Sequence, residues 1–207
     1  MTTQVQRLSW RNLPNRLGVV GDSIALGRTA QPGSSWCERL HKKHVSNDLA
    51  ANMVFNLGIG GNTSRDVLRR LPQEFAERNI EASMLLVGVN DLRVSTHTKA
   101  QDVPIDEFRD NYLHIVKKCL SFGPLEIIGL VPMGFSGSNV LGDFEYSQEE
   151  WELYNATIHE VASENDVHVT NINAAFNGSS NLHYDPIHPN TKGHEVIFQQ
   201  LNKSLNE

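Results

Sequence analysis

Short apolar runs alternate along the chain with stretches whose apolar residues recur every three or four positions. Leu17-Gly18-Val19-Val20 ends at Gly21-Asp22 and predicts a buried strand with a turn behind it. Ser34-Ser35 then offer a helix cap before Trp36, Leu40 and His44. Residues 53–57 form a second strand, closed by Gly58, Gly60 and Gly61. Thr63 or Ser64 caps the next helix, whose inner side carries Val67, Leu68, Leu71 and Phe75. Pro72 falls inside that pattern and predicts a kink or a split, because it has no amide donor. Residues 84–87 give a third strand, followed by a loop and a helix marked by Phe108, Tyr112, Ile115, Val116 and Leu120. Residues 125–131 form a fourth strand, stopped by Pro132, and 133–147 show no period and predict a long surface loop. Ser147 with Glu150 has the spacing of a capping box before Trp151, Tyr154, Ile158 and Val161. Residues 167–172 make a fifth strand, and a last helix is expected from about Thr191 to Leu201.

Five strands alternating with helices predict an α/β fold with a parallel sheet covered on both faces. At 207 residues the chain is sized for one domain, 1–207, with its core over about 16–205. Apolar residues make up 39% and charged residues 20%, which excludes a disordered chain. The net charge of −6 leaves no cationic excess for nucleic acid or an anionic membrane surface. Cys37 and Cys119 lie far apart and suggest neither a disulfide framework nor a paired metal-ligand spacing. No apolar run reaches the length of a membrane span, so no integral membrane segment is expected, and the N-terminal residues lack the apolar stretch of a secretion signal. A soluble protein of a reducing compartment, the cytoplasm, is expected. The pattern specifies no oligomeric state.

In an open α/β sheet, sites form at the carboxyl ends of the strands. The first strand is followed by Gly21-Asp22-Ser23, the second by Gly58-Ile59-Gly60-Gly61-Asn62, and the third by Gly88-Val89-Asn90-Asp91. Asp185-Pro186-Ile187-His188-Pro189-Asn190 lies near the end of the sequence. These residue types suit acyl transfer through a serine. A serine hydroxyl needs a base in hydrogen-bond reach, and the base needs a partner to fix its tautomer. His188 is the candidate base, and Asp185, three residues earlier, can hold its imidazole from the same turn. A developing oxyanion needs donors already in place. Ser23 offers its own amide, a glycine at 60 or 61 offers another, and Asn90 offers a side-chain amide.

At these residues the sequence resembles the SGNH hydrolases, also called the GDSL esterase/lipase family. The first family block resembles Gly21-Asp22-Ser23-Ile24, with Ile where the family name has Leu. The second resembles residues 56–64 and puts the family's oxyanion glycine at Gly61. The third puts the family asparagine at Asn90, and the last puts the acid and base at Asp185 and His188. The blocks keep the family's order over residues 18 to 194. The resemblance implies a flavodoxin-like, three-layer α/β/α fold with strand order 2-1-3-4-5. It also implies hydrolysis of carboxylic esters with no metal or organic cofactor, and since the sequence shows no long apolar lid segment, small soluble esters are expected over long-chain lipids. Some members of the family act on acetylated sugars or thioesters, and some pass the acyl group to acceptors other than water, so an acyltransferase or sugar acetylesterase is the alternative. A non-catalytic binding domain would have no need for Ser23, Asp185 and His188 together.

The remaining residues carry plainer expectations. Asp22 caps or orients its turn, and Asp91 bonds nearby amides. His183 and His194 stand near His188 but have no metal-ligand spacing, so no metal is expected. His41 and His44 read as a solvated helix face. Arg93 is a candidate for binding a substrate anion or for anchoring a loop. The 133–147 loop, with Met133, Phe135, Val140, Leu141 and Phe144, is a candidate wall of the acyl site, because loops in this place carry specificity.

Overall fold

The computed structural model describes residues 7–134, 139–176 and 180–207. In chain order the elements begin with β1 (Arg16–Gly21), α1 (Ser23–Leu26), α2 (Trp36–Asn47) and β2 (Met53–Gly58). They continue with α3 (Ser64–Arg78), β3 (Ala82–Leu86), β4 (Val94–Ser95), α4 (Ile105–Phe122) and β5 (Leu125–Ile128). The last are β6 (Val140–Leu141), β7 (Phe144–Glu145), α5 (Gln148–Glu164), β8 (His168–Thr170), α6 (Asn173–Phe176) and α7 (Thr191–Ser204).

The five predicted strands form one parallel sheet in the order β2-β1-β3-β5-β8. Counted among themselves, they stand second, first, third, fourth and fifth. The fold is therefore the three-layer α/β/α arrangement. Val20 of β1 sits between Leu57 of β2 and Leu85 of β3, and Val19 beside Met84 on the opposite face, all buried, so the sheet's centre is apolar on both faces. That is why β1 and β3 read as unbroken apolar runs. The edge strand β2 is partly open, with Met53 exposed. On one side α2 packs against α7; α3, α4 and α5 stack in sequence in the other helical layer.

Local chemistry starts the helices where expected, with one exception. Ser35 caps α2 and completes a box with Glu38. Asn190 caps α7 by accepting from the Lys192 and Gly193 amides. Ser147 Oγ accepts from the Glu150 amide at 3.1 Å, but Glu150 does not reach back for a box. Its carboxylate takes the Gln101 side-chain amide instead, which ties α5 to the loop before α4.

The structure revises three other expectations. α3 is not split at Pro72 but runs on as one helix, with Pro72 half-buried. His44 is buried, not solvated, and its Nε2 reaches the Asn15 carbonyl at 3.3 Å. Burial lowers its pKa below the ordinary histidine value. The 133–147 segment is not wholly irregular: β6 and β7 pair antiparallel, and β7 pairs with β4, giving a small ribbon of order β4-β7-β6. Leu8 and Trp10 also pack on the chain itself. Leu8 is buried, and Trp10 donates from its amide to Leu205 O and from its ring to Asn202 of α7. Among the described residues, no helix is long and apolar enough to cross a membrane.

Candidate active site

Three strand ends and one late turn meet at the carboxyl edge of the sheet. Gly21 closes β1 where the backbone runs hard against β3; an added Cβ would lie 1.9 Å from Leu86 O. Only glycine allows that approach. Asp22 then caps the four-residue α1 by accepting from the Ile24 amide at 2.8 Å, and Ser23 opens the helix. Trp36 of α2 fixes this turn from outside by donating its ring N–H to Ile24 O at 2.8 Å.

The second loop carries Gly61 with φ of +82°, a left-handed conformation natural to glycine. Arg70 of α3 draws this loop against β1, donating to Asn62 Oδ1 at 2.8 Å and to Gly21 O at 2.9 Å. The third loop is held by Asp91, whose carboxylate accepts the Ser64 amide at the start of α3. The late turn is closed by the Tyr184 amide donating to His188 O at 2.8 Å, so one short segment presents both Asp185 and His188.

These elements place Ser23 Oγ 2.9 Å from His188 Nε2, and His188 Nδ1 2.7 Å from Asp185 Oδ2. Asp185 Oδ1 also accepts from the His188 amide at 2.8 Å and the Ile187 amide at 3.0 Å. Burial pushes the Asp185 pKa up, but the His188 ring and these two amides outweigh it and hold it below the usual value. An ionised carboxylate beside Nδ1 requires the proton to sit on that nitrogen. Nε2 then carries the free lone pair that faces the serine hydroxyl, the arrangement that lets an imidazole accept a hydroxyl proton.

A cavity of about 320 Å³ opens over this chain of bonds. Its lining brings together Ser23, Gly61, Asn90, Arg93, Asp185 and His188 from the predicted set. Arg28, Leu141, Gly142, Phe144, Tyr146 and Ile187 complete it. Leu141 and Phe144 belong to the loop expected to wall the site. Tyr146 lies in that same loop, whereas Arg28 and Ile187 had no signal of their own, although Ile187 sits between Asp185 and His188 in the sequence. Met133 packs half-buried against the hydrophobic core, outside this lining. Phe135 lies outside the described residues.

Asn90 is 3% exposed; its Nδ2 donates to Asn62 O at 3.0 Å and its Oδ1 accepts from Arg93 Nη1 at 3.2 Å. Two further carboxyls lie buried behind the site. Burial, opposed in part by the Ile24 amide and reinforced by Asp91, raises the Asp22 pKa to about 7. Among the described residues, Asp22 Oδ2 has no hydrogen-bond partner. Burial, opposed by the Ser64 bonds and reinforced by Asp102, raises Asp91 to about 7 as well. The neighbouring histidines are held separately: His183 Nε2 reaches Pro132 O at 2.7 Å, and His194 Nε2 reaches Arg28 O at 2.9 Å. Among the described residues, no group of three His, Cys, Asp or Glu side chains converges as a metal site.

The GDSL-like Lipase/Acylhydrolase family matches residues 19–196. An acetylxylan esterase of Geobacillus stearothermophilus is 24% identical over 163 residues, covering 73% of this chain and 71% of that protein. Among solved structures, the lipase/acylhydrolase from Enterococcus faecalis superposes with a TM-score of 0.75 at 20% identity, covering 93% of this chain and 95% of that one. Axe2, an acetylxylan esterase from Geobacillus stearothermophilus, gives 0.74 at 18% identity, covering 93% and 94%.

Proposed function

Because the chain belongs to the GDSL-like Lipase/Acylhydrolase family and is an SGNH-type ester hydrolase, we propose that it cleaves short-acyl carboxylic esters through an acyl-enzyme on Ser23. Ser23 Oγ attacks the ester carbonyl while His188 Nε2 takes the hydroxyl proton. Asp185 holds the imidazole in the tautomer that can do this and stabilises the imidazolium that results. The amides of Ser23 and Gly61 and the Asn90 side chain receive the charge that develops on the carbonyl oxygen. The carbon–oxygen bond to the leaving alcohol then breaks, and His188 returns the proton to that alcohol. Water attacks the acyl-enzyme with His188 again as base, releasing the acid and free Ser23.

The observation that carries this reading is the unbroken series Ser23 Oγ, His188 Nε2 and Nδ1, and Asp185 Oδ2, with both contacts under 3 Å. The cavity size supports the short acyl group. At about 320 Å³ it stands at the small end of ligand pockets, which favours a short acyl group over a long one. Small-molecule ester substrates are what the family implies.

Hydrolysis of p-nitrophenyl esters from acetate to decanoate tests the proposal, with a fluorophosphonate label located by mass spectrometry. Turnover and a label on Ser23, both lost in Ser23→Ala, are expected. Turnover that survives Ser23→Ala would overturn it.

A second reading narrows the first. The similarity to a protein described as an acetylxylan esterase favours an acetylated sugar as substrate. Acetate release from peracetylated xylose should then exceed that from p-nitrophenyl acetate at equal concentration. Added alcohols, followed by product analysis, distinguish hydrolysis from acyl transfer to the same sugars.

A further inference from the structure

The side-chain amide of Asn90 is useful as a donor only in one of its two orientations. A carboxamide can turn over and exchange its oxygen for its nitrogen with little change of shape. In this site the two neighbours of Asn90 are of opposite and fixed character. Asn62 O, 3.0 Å from Nδ2, only accepts. The Arg93 guanidinium, 3.2 Å from Oδ1, only donates. Turning the amide over would put NH₂ against guanidinium N–H and oxygen against carbonyl oxygen, losing both bonds at once.

Arg93 is itself built in. Its Nε and Nη2 both bond Asp102 Oδ2, at 2.8 and 2.6 Å. The Asp102 amide in turn donates to Arg93 O at 2.9 Å. Its guanidinium lies over the Phe144 ring, 3.9 Å from the centroid, in cation–π contact. One face is therefore packed on β7 and one edge is paired, while Nη1 reaches Asn90 and the guanidinium also bonds the Tyr146 side chain. A surface arginine free to swing would not specify an amide's orientation; this one cannot swing without breaking an ion pair and a stack.

We infer that Arg93 is a positioning residue that holds the Asn90 carboxamide with its second Nδ2 hydrogen toward the cavity and polarises it for donation. The inference rests on the proposal that Asn90 stabilises the oxyanion. A charged donor on Oδ1 draws electron density from the amide and makes Nδ2–H the stronger donor, an effect that grows in a buried site. It also assigns a role to the small ribbon: Phe144 of β7 and the start of β4 together fix the arginine that sets the donor.

The test is a double-mutant cycle on p-nitrophenyl acetate with wild type, Arg93→Met, Asn90→Ala and the double variant. Asn90→Ala should lower kcat about a hundredfold, and Arg93→Met about tenfold with KM within about twofold of wild type. In the Asn90→Ala background, Arg93→Met should change kcat by less than about twofold, because its effect passes through the missing amide. Arg93→Lys keeps a charge but not the planar fork, and should recover part of the loss. Should Arg93→Met fail to fold, the lysine variant carries the same cycle, with a loss of about threefold that also vanishes beside Asn90→Ala.

Three results would overturn the assignment. One is a wild-type kcat in Arg93→Met. Another is a tenfold loss that repeats in full beside Asn90→Ala, which marks a merely structural arginine. The third is a rise in KM with kcat kept, which marks contact with the substrate. A wild-type kcat in Asn90→Ala would instead remove the oxyanion role of Asn90, whatever Arg93 does.

Discussion

Ser23 Oγ and His188 Nε2 lie 2.9 Å apart across 165 positions of sequence. Nothing local forces them together. β1 delivers one through the Gly21-Asp22 turn, and the segment before α7 delivers the other, so the contact exists only when the sheet and its last helix are in place. Removing the hydroxyl should therefore remove chemistry and leave the fold intact. Ser23→Ala is expected to lower kcat roughly a thousandfold or more, with a thermal transition within a few degrees of wild type. Steady-state kinetics beside thermal unfolding checks both parts; a fall in kcat of less than tenfold would place the nucleophile elsewhere.

Asp185 makes a different prediction from the same series of bonds. Asn in its place keeps the size and can still accept the two backbone amides through its oxygen. It can also turn an NH₂ toward Nδ1, which moves the imidazole proton to Nε2 and leaves no lone pair facing Ser23. Asp185→Asn should lower kcat roughly a thousandfold or more while KM moves little. Asp185→Ala should do no worse in kcat but unfold at lower temperature, since it also abandons the Ile187 and His188 amides. An Asp185→Asn enzyme with near-wild-type kcat would mean that the carboxylate is not needed to set the tautomer.

What the residue pattern revealed and what it hid follow from how far each feature reaches along the chain. β1 and β3 were legible because a strand buried on both faces is an apolar run that needs no partner to be seen. Ser35 and Ser147 were legible because a cap acts within three residues. Three of the site blocks stood out because each follows a strand, and the last because it leads into the final helix. The ribbon β4-β7-β6 was hidden, since a two-residue strand has no period and its pairing joins residues such as Ser95 and Phe144. The burial of His44 was hidden for the same reason: its covering partner, Asn15, lies outside its helix. Arg93 was visible as a charge near the third block, but its ties to Asp102 and Phe144 are made in space.

The buried carboxyl of Asp22 predicts a pH dependence of stability with a definite sign. Its pKa is raised by burial from 3.8 in the unfolded chain to about 7 in the fold. Between those values the folded state holds a proton that the unfolded state has lost. Stability contributed by this group is therefore fully present below pH 3.8 and is lost as pH rises toward and through about 7. Asp91, raised to about 7 by the same cause, adds to the trend, and its charge opposes that of Asp22. Asp22→Asn keeps an acceptor for the Ile24 amide but never ionises. Its Tm should match wild type near pH 4 and exceed it by several degrees at pH 8, as followed by thermal unfolding across that range. A difference that is constant with pH would show that Asp22 ionises freely in the fold.

The last prediction concerns which part of the cavity takes the acyl group. Leu141 and Phe144 stand on the ribbon, and both line the cavity with Ser23 and His188. Phe144 also stacks on Arg93, so changing it would disturb Asn90 as well as the wall. Leu141 has no such tie and is the cleaner probe. A methylene that fits or fails to fit an apolar pocket changes kcat/KM by about tenfold or more, and a wall that can partly relax gives less. If the acyl chain lies against the ribbon, Leu141→Ala should raise the ratio of butyrate to acetate kcat/KM by roughly threefold to tenfold, and Leu141→Trp should lower it by a similar factor. The ratio is the right quantity, because a general change in the serine's reactivity cancels between the two esters. Opposite shifts in the two variants would fix the ribbon as the acyl wall. An unchanged ratio in both would put the acyl group toward Gly61 and the leaving alcohol against Leu141, and the same variants would then separate esters by their alcohols.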